Sequence, residues 1–425
     1  MSIVVRMTRV SLMRERSPHG HHRVTYLELF YDLVFVFAIT QISHTLLAHF
    51  TPLGILETTL LFLAVWWVWM FTSWATNWLD PDRLPVRIVL FGMMMGGLVL
   101  STSIPKAFES RGLAFGIAFA CMQIGRTLFM IAAIPEGREA LRINFQRILV
   151  WLCLSGLFWI LGGFAQGHER LALWSIAIAI EYVSPALNFW VPGLGASSVR
   201  DWTVEGGHMA ERCALFIIIA LGESILVTGA TFAEAAWTPM TAAAFASAFF
   251  CSIAMWRIYF HKGAEAGAEH INHASDPGRL ARLGYTYLHL PIVAGIIVVA
   301  VGDEVTLSHP DAMSDIKATL TLIGGPLLFL IGVILFKHTI HGWLQLSHLV
   351  GIALLLLTFP VASWLTTLQL AALTSAILIL VGAWEAISLG AKPTVQNKAL
   401  YRAERSIVRS LTSPRHLPMR ETALA

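Results

Sequence analysis

The sequence predicts an all-α polytopic integral membrane protein, and three observations carry that prediction. The 425 residues are 56% hydrophobic and only 13% charged, where an average soluble chain is about 25% charged. Mean hydropathy is +0.68. Apolar runs of about 20 residues, the length that crosses a hydrocarbon core, recur about a dozen times between short polar loops. A large soluble core would raise the apolar fraction without producing that repeat.

The runs place about twelve spans, near 26–47, 53–72, 86–104, 112–134, 145–165, 171–190, 210–230, 239–260, 284–302, 318–336, 343–362 and 367–389. Pro360, Ser363 and Trp364 permit one long broken element in place of the last two, and because an error of two spans at that end would leave the charge bias intact, ten spans is the alternative count. The basic residues test the placement. With the N-terminus inside, the inner segments carry 24 Lys or Arg, the outer loops carry 4, and Arg126 lies within a span. That bias predicts cytoplasmic termini. Residues 1–25 are then a basic N-terminal segment, 26–389 the membrane domain and 390–425 a basic tail that suits the anionic inner leaflet.

Composition also removes several classes. No cleavable signal pattern opens the chain, because Pro18 and the histidines His19, His21 and His22 stand where an apolar core would be. Cys121, Cys153, Cys213 and Cys251 form no CxxC and read as packing residues. The loop HKGAEAGAEHINH holds His261, His270 and His273 among Glu265 and Glu269, but the spacing matches no defined metal site, and a solvated loop is the better reading. No P-loop, G-x-G-x-x-G, H-E-x-x-H or TVGYG run is present. The basic residues sit at chain ends and in loops and make no nucleic-acid module. No cofactor, metal site or catalytic residue is predicted.

The chemistry-bearing residues are the charges inside the spans, because a charge in hydrocarbon needs a partner, a proton or a water-filled cavity. Glu28 and Asp32 are four residues apart and share a helix face. In HMAERCALFIIIALGESIL, Glu211 and Arg212 sit near the inner end and point about 100° apart, so each faces a different neighbour; Glu223 lies twelve residues further on, next to Gly222. Arg126, past the middle of the fourth span with Gln123 on the same face, is expected to pair with Glu28, Asp32 or Glu211. Glu181 is roughly central in the sixth span, Glu385 is late in the last, and His289 and Pro291 interrupt the ninth. The later members of the series Trp66, Trp67, Trp69, Trp74 and Trp78 read as an interfacial belt. Gly92, Gly96, Gly97, Gly162 and Gly163 suit close helix packing.

The first and seventh spans match in polarity, and the spans after them end alike, in WWVWMF and AMWRIYF. Six helices separate the matched features, which makes two parallel six-helix repeats, 26–190 and 208–389, a candidate organisation.

Together, LELFYDLVFVFAITQIS at Leu27–Ser43 and HMAERCALFIIIALGESIL at His208–Leu226 resemble the bacterial low temperature requirement protein A family, over roughly Arg23 to Leu389. Cys213-Ala214 departs mildly from the bulkier residues expected there and leaves the acids intact. The resemblance implies an integral protein of a bacterial inner membrane and supplies no reaction. The leading expectation is a proton- or cation-coupled secondary transporter of a small solute. In it Glu28, Asp32 and Glu223 bind the proton or cation, Arg126 and Arg212 offset charge or meet an anionic substrate, and Glu181 and Glu211 complete the intramembrane polar network. A channel, a sensor or structural protein, and, less favoured, a membrane-embedded enzyme are the alternatives. The expected partners are the lipid bilayer and an unidentified solute or ion, with homo-oligomerisation left open.

Overall fold

The protein is described from a computed structural model that covers residues 11–14, 23–198, 205–261, 277–341 and 344–390. The His19–His22 cluster, the loop from Lys262 to His273 and the basic tail lie outside the described residues. Among the described residues twelve long helices make the body: α1 Tyr26–Ala48, α2 Pro52–Trp78, α3 Leu84–Ser103, α4 Gly112–Ala133, α5 Glu139–Phe164, α6 Gly167–Val183, α7 Gly206–Glu234, α8 Pro239–Phe260, α9 His289–Ser308, α10 Ile316–His341, α11 Leu346–Thr358 and α12 Thr367–Gly390. Eleven are long and apolar enough, some with their flanking turns, to cross a membrane. The twelfth, α6, has 17 residues.

Local chemistry sets the ends. Thr25 and Glu28 close a capping box at the start of α1, and Thr238 caps α8 ahead of Pro239. The span expected at 171–190 is instead Gly167–Val183, because Pro185 ends the helix and the chain turns through Asn188 and Phe189 with φ near +50°. Glu181 is therefore near the end of its helix, not central. The irregularity expected at His289 is a π-helical turn, Arg282–Tyr287, running into α9. Phe359–Trp364 is a 3-10 turn that reverses the chain, so α11 and α12 pack side by side as two elements. Gly222 makes no break in α7.

The outside of the bundle is apolar: Phe30, Leu33, Ile88, Met95, Leu157 and Leu226 are among many large hydrophobic residues left exposed. Polar side chains lie inside, the reverse of a soluble protein and the arrangement a bilayer requires. The chain is a multi-pass membrane protein. Two short antiparallel bridges order its faces. Met13 pairs with Leu79, which puts the N-terminal segment and the α2–α3 loop on one face, called here the near side; Met313 pairs with Thr366 at the far side.

Packing recurs between the two sets of six. In the first set α1 meets α2 and α3, α3 meets α4, α4 meets α5, α5 meets α6, and α2 meets α4 and α6. In the second, α7 meets α8 and α9, α9 meets α10, α10 meets α11, α11 meets α12, and α8 meets α10 and α12. Helices α1 and α7 touch at the centre and join the sets. The tryptophans of α2 do not form an outward belt: Trp66, Trp67, Trp69, Trp74 and Trp78 are all buried. The N-terminal segment, α5 and the π-helical turn wrap the near end of α2 and take the indoles inside.

Candidate functional site

The capping box that starts α1 aims Glu28 back at its own helix end. Glu28 Oε2 accepts from Thr25 N at 2.9 Å, Thr25 Oγ1 at 3.0 Å and Arg14 Nη2 at 3.0 Å. Its Oε1 lies 2.8 Å from His208 Nε2. Asn77 fixes the tautomer. Its Oδ1 accepts from Glu205 N at 3.1 Å and its Nδ2 donates to Glu205 O at 2.9 Å, so Nδ2 is also the atom that donates to His208 Nδ1 at 3.3 Å. The remaining ring proton is then on Nε2 and is donated to Glu28.

One turn deeper, Arg212 reaches from α7 to α1. Its Nη2 donates to Asp32 Oδ1 at 2.8 Å and to Ser73 Oγ at 3.1 Å, and its Nη1 to Glu28 O at 2.9 Å. Trp69 Nε1 donates to the same Asp32 oxygen at 2.7 Å, and the guanidinium stands 5.5 Å from the Trp69 ring centroid. Asp32 and Arg212 are each the seventh residue of their helices, so α1 and α7 present opposite charges at one level. Glu211 turns away, as its neighbouring position requires, and accepts from Val24 N at 3.0 Å. This network is buried: Glu28, Asp32, His208 and Arg212 are at most 1% exposed.

Arg126 does not join it. The expected pairing with Glu28, Asp32 or Glu211 is replaced by Nη2 donating to Gln123 Oε1 at 2.5 Å and Nη1 to Thr72 Oγ1 at 3.2 Å, with the Phe71 ring centroid 5.3 Å away. The α1 acids have Arg14, His208 and Arg212 as their partners within ion-pair distance. Gln123 relays the charge onward, donating from Nε2 to Glu181 Oε2 at 2.8 Å, while Ser155 donates to Glu181 Oε1.

Glu223 lies about 26 Å past the near end of α7 and is 8% exposed. Its partner is the Thr40 hydroxyl of α1, and among the described residues no cation pairs with it. Asp303 in α9 belongs to the same half. It is 5% exposed, its Oδ2 is buried without a hydrogen-bond partner, and among the described residues it forms no ion pair. Sequence reading passed over Asp303 and Lys337 because the ninth and tenth spans were ended one residue before each. The helices in fact run on to Ser308 and His341. Lys337 pairs with Glu385 at 2.5 Å, both at most 2% exposed. His208 carried a signal, its place four residues before Arg212, but the sequence did not say that Glu28 was opposite. Ser73 carried none.

A cavity with about 40 Å³ of open interior lies between α2, α4, α5 and the π-helical turn. Trp67, Trp74, Trp78, Phe145 and Tyr287 form its walls, with Arg126 and Arg282 on its lining.

A family model described as bacterial low temperature requirement A protein (LtrA) matches residues 23–383. An uncharacterized protein of Rhizobium meliloti (strain 1021) is 40% identical over 368 residues, 86% of this chain and 90% of that one. No solved structure matches. The paired Glu28 and Asp32 of α1 and the Glu211-Arg212 and Glu223 positions of α7 all fall inside the matched region, and the chain belongs to the bacterial low temperature requirement A protein family.

Proposed function

We propose that this chain is a secondary transporter of a small solute, coupled to protons or another small cation. Glu223 and Asp303 carry the coupling ion. One observation supports this most directly. The near-side acids Glu28, Asp32 and Glu385 each have a fixed cation within ion-pair distance, and Glu181 is bridged to Arg126 by Gln123, whereas the two buried far-side acids, Glu223 and Asp303, have neither arrangement among the described residues. A buried carboxylate without a fixed cation is stabilised by taking up a proton or a mobile cation. Asp32, expected at first to carry the ion, has a permanent partner in Arg212 and acts instead as part of a near-side closure. The recurring six-helix packing supports the same reading, since parallel repeats occur in transporters.

Proteoliposomes under an imposed pH gradient test the proposal with a panel of small carboxylates, amines and amino acids. Wild type is expected to take up at least one solute with a matching pH change. Glu223→Gln and Asp303→Asn keep size and hydrogen bonding, so they should insert normally and lose coupled uptake at least about tenfold, the scale of a lost 1.4 kcal/mol interaction. Equal coupled uptake by both amides, or a wild type that moves no member of the panel, would reject the assignment. The second outcome would favour a membrane sensor or structural protein, the reading to which the closed Glu28–Asp32–Arg212 network lends weight.

We also propose a bacterial inner membrane location with the near side cytoplasmic. Reporter fusions after Arg23 and after Ala391 should be active only as cytoplasmic fusions.

A further inference from the structure

We propose that residues 11–14 are a strap that closes the near side and must release for it to open, with Arg14 as the latch. Two backbone hydrogen bonds fix the segment to the exit of α2, Arg14 N to Trp78 O at 2.8 Å and Asp80 N to Leu12 O at 2.9 Å. They flank the bridged pair Met13 and Leu79, whose side chains are each 3% exposed and belong to the hydrophobic core. From this anchor the Arg14 side chain reaches inward. Its Nε donates to Leu79 O at 3.0 Å and its Nη2 to Glu28 Oε2 on α1 at 3.0 Å. The same Nη2 stands 3.3 Å from His208 Nε2 on α7. One side chain therefore ties the end of α2 to α1 and abuts α7, and α1 and α7 are the helices that join the two sets.

Glu28 makes the latch necessary. Among the described residues the basic groups within ion-pair distance of its carboxylate are Arg14 and His208. Asn77 withholds a second proton from the ring. Its Nδ2, held in the donor role by Glu205, faces His208 Nδ1, and a ring cation would stand 3.3 Å from the Arg14 guanidinium. His208 therefore gives Glu28 a hydrogen bond without a charge, and Arg14 supplies the charge. Releasing the strap leaves a buried carboxylate without its cation. Water entering between α1, α2 and α7 relieves that cost, because a carboxylate in hydrocarbon needs a partner or a hydrated cavity. Strap position and near-side hydration are thus coupled through one charge. Asp32, Arg212 and Ser73, one turn deeper, lose their cover when the strap leaves. That release serves transport rests on the transporter reading; that the strap closes the near side does not.

The test is thiol labelling of the purified full chain in nanodiscs. Cys121, Cys153, Cys213 and Cys251 are replaced by Ala, and the probe is Ser73→Cys, a buried position against Arg212 beneath the strap. The reagent is the charged, water-soluble trimethylammonium-ethyl methanethiosulfonate, and intact mass reads the labelled fraction. With the strap in place labelling should be slow. Arg14→Gln and, separately, Met13→Glu should each speed it at least about tenfold, the least expected when a buried charge loses its partner. Glu28→Gln added to Arg14→Gln removes the charge that needs the latch and should return labelling to near the parent rate. Met13→Glu expels the strap with Arg14 and Glu28 intact, and it decides the matter if Arg14→Gln does not fold. Unchanged labelling in either folded single variant, or no slowing when Glu28→Gln is added, would overturn the strap. A disulfide across the bridge, from Met13→Cys with Leu79→Cys in the chain without native cysteines, should block coupled uptake in proteoliposomes until it is reduced. Normal uptake by the cross-linked protein would overturn the need for release. The expected labelling from a protein that moves no panel solute would leave the closure standing and reject transport. Coupled uptake with unchanged labelling would do the reverse.

Discussion

The two six-helix sets place charge in corresponding helices but compensate it differently. In each, the fourth helix carries a buried cation in its near half and the sixth carries a buried acid: Arg126 on α4 with Glu181 on α6, and Lys337 on α10 with Glu385 on α12. Each cation also donates to a backbone carbonyl in the second helix of its own set, Val68 O on α2 and Ile258 O on α8. In the second set the pair is direct, at 2.5 Å. In the first, Gln123 stands between the charges and the guanidinium also faces a cavity. The helix that fits most tightly against the fourth differs as well. An added Cβ at Gly116 of α4 would meet Trp159 O of α5 at 2.4 Å, whereas one at Gly325 of α10 would meet Val299 N of α9 at 2.8 Å. With α4 pressed on α5 and α10 pressed on α9, the same ordered contacts leave different interiors. The same charge plan can therefore pair directly in one half and leave a cavity beside the cation in the other.

The largest expected effects come from breaking the direct pairs. Arg212→Leu and Lys337→Met each leave a buried carboxylate uncompensated, and each should cost about 3–5 kcal/mol of stability. Asp32→Leu added to the first, and Glu385→Leu added to the second, should recover much of the loss. Denaturant or thermal unfolding in detergent measures this, and no recovery in either double variant would mean the pair does not act as a unit.

A smaller effect is expected from the relayed charge, and here the comparison is most exposed. Arg126→Leu removes hydrogen bonds to Gln123 and Thr72 but leaves Glu181 bonded to Ser155 and Gln123, so about 1–3 kcal/mol is expected. A double-mutant cycle should give Lys337 and Glu385 a coupling above about 2 kcal/mol and Arg126 and Glu181 one below about 1 kcal/mol. Equal couplings would show that Gln123 transmits the charge as well as a direct contact does.

The smallest effects concern the glycines. Gly116→Ala and Gly325→Ala place a methyl against backbone and should cost about 1–3 kcal/mol. Gly125 and Gly222 have nothing within 4 Å of an added Cβ, and their alanine variants should stay within about 1 kcal/mol of wild type. If Gly222→Ala destabilised as strongly as Gly116→Ala, close packing would not be what separates these positions.

Much of this was legible in the sequence, for identifiable reasons. The helices, their number within one and their alternation follow from run length, because a bilayer imposes one length on every span. The intramembrane acids were visible because each interrupts an apolar run. The divergent directions of Glu211 and Arg212 followed from helical geometry alone, and Val24 and Asp32 are where they lead. Asp303 and Lys337 were missed because a charge next to the end of a run reads as loop, although backbone hydrogen bonding carries the helix past it.

Partnership was decided only by the tertiary structure. The sequence supplied three acids for Arg126 and no means of ranking them, since hydrophobic helices of similar composition can pack in many orders. Contact between α1 and α7 gives Asp32 to Arg212 across 180 residues, and the N-terminal segment lying along the near face gives Glu28 to Arg14. With those acids occupied, Arg126 turns to Gln123 and the cavity, and the tryptophans of α2 become walls instead of an interfacial belt. A run of apolar residues fixes that a helix crosses the membrane; which charge meets which depends on the rotation and neighbours of each helix, and those are properties of the assembled bundle.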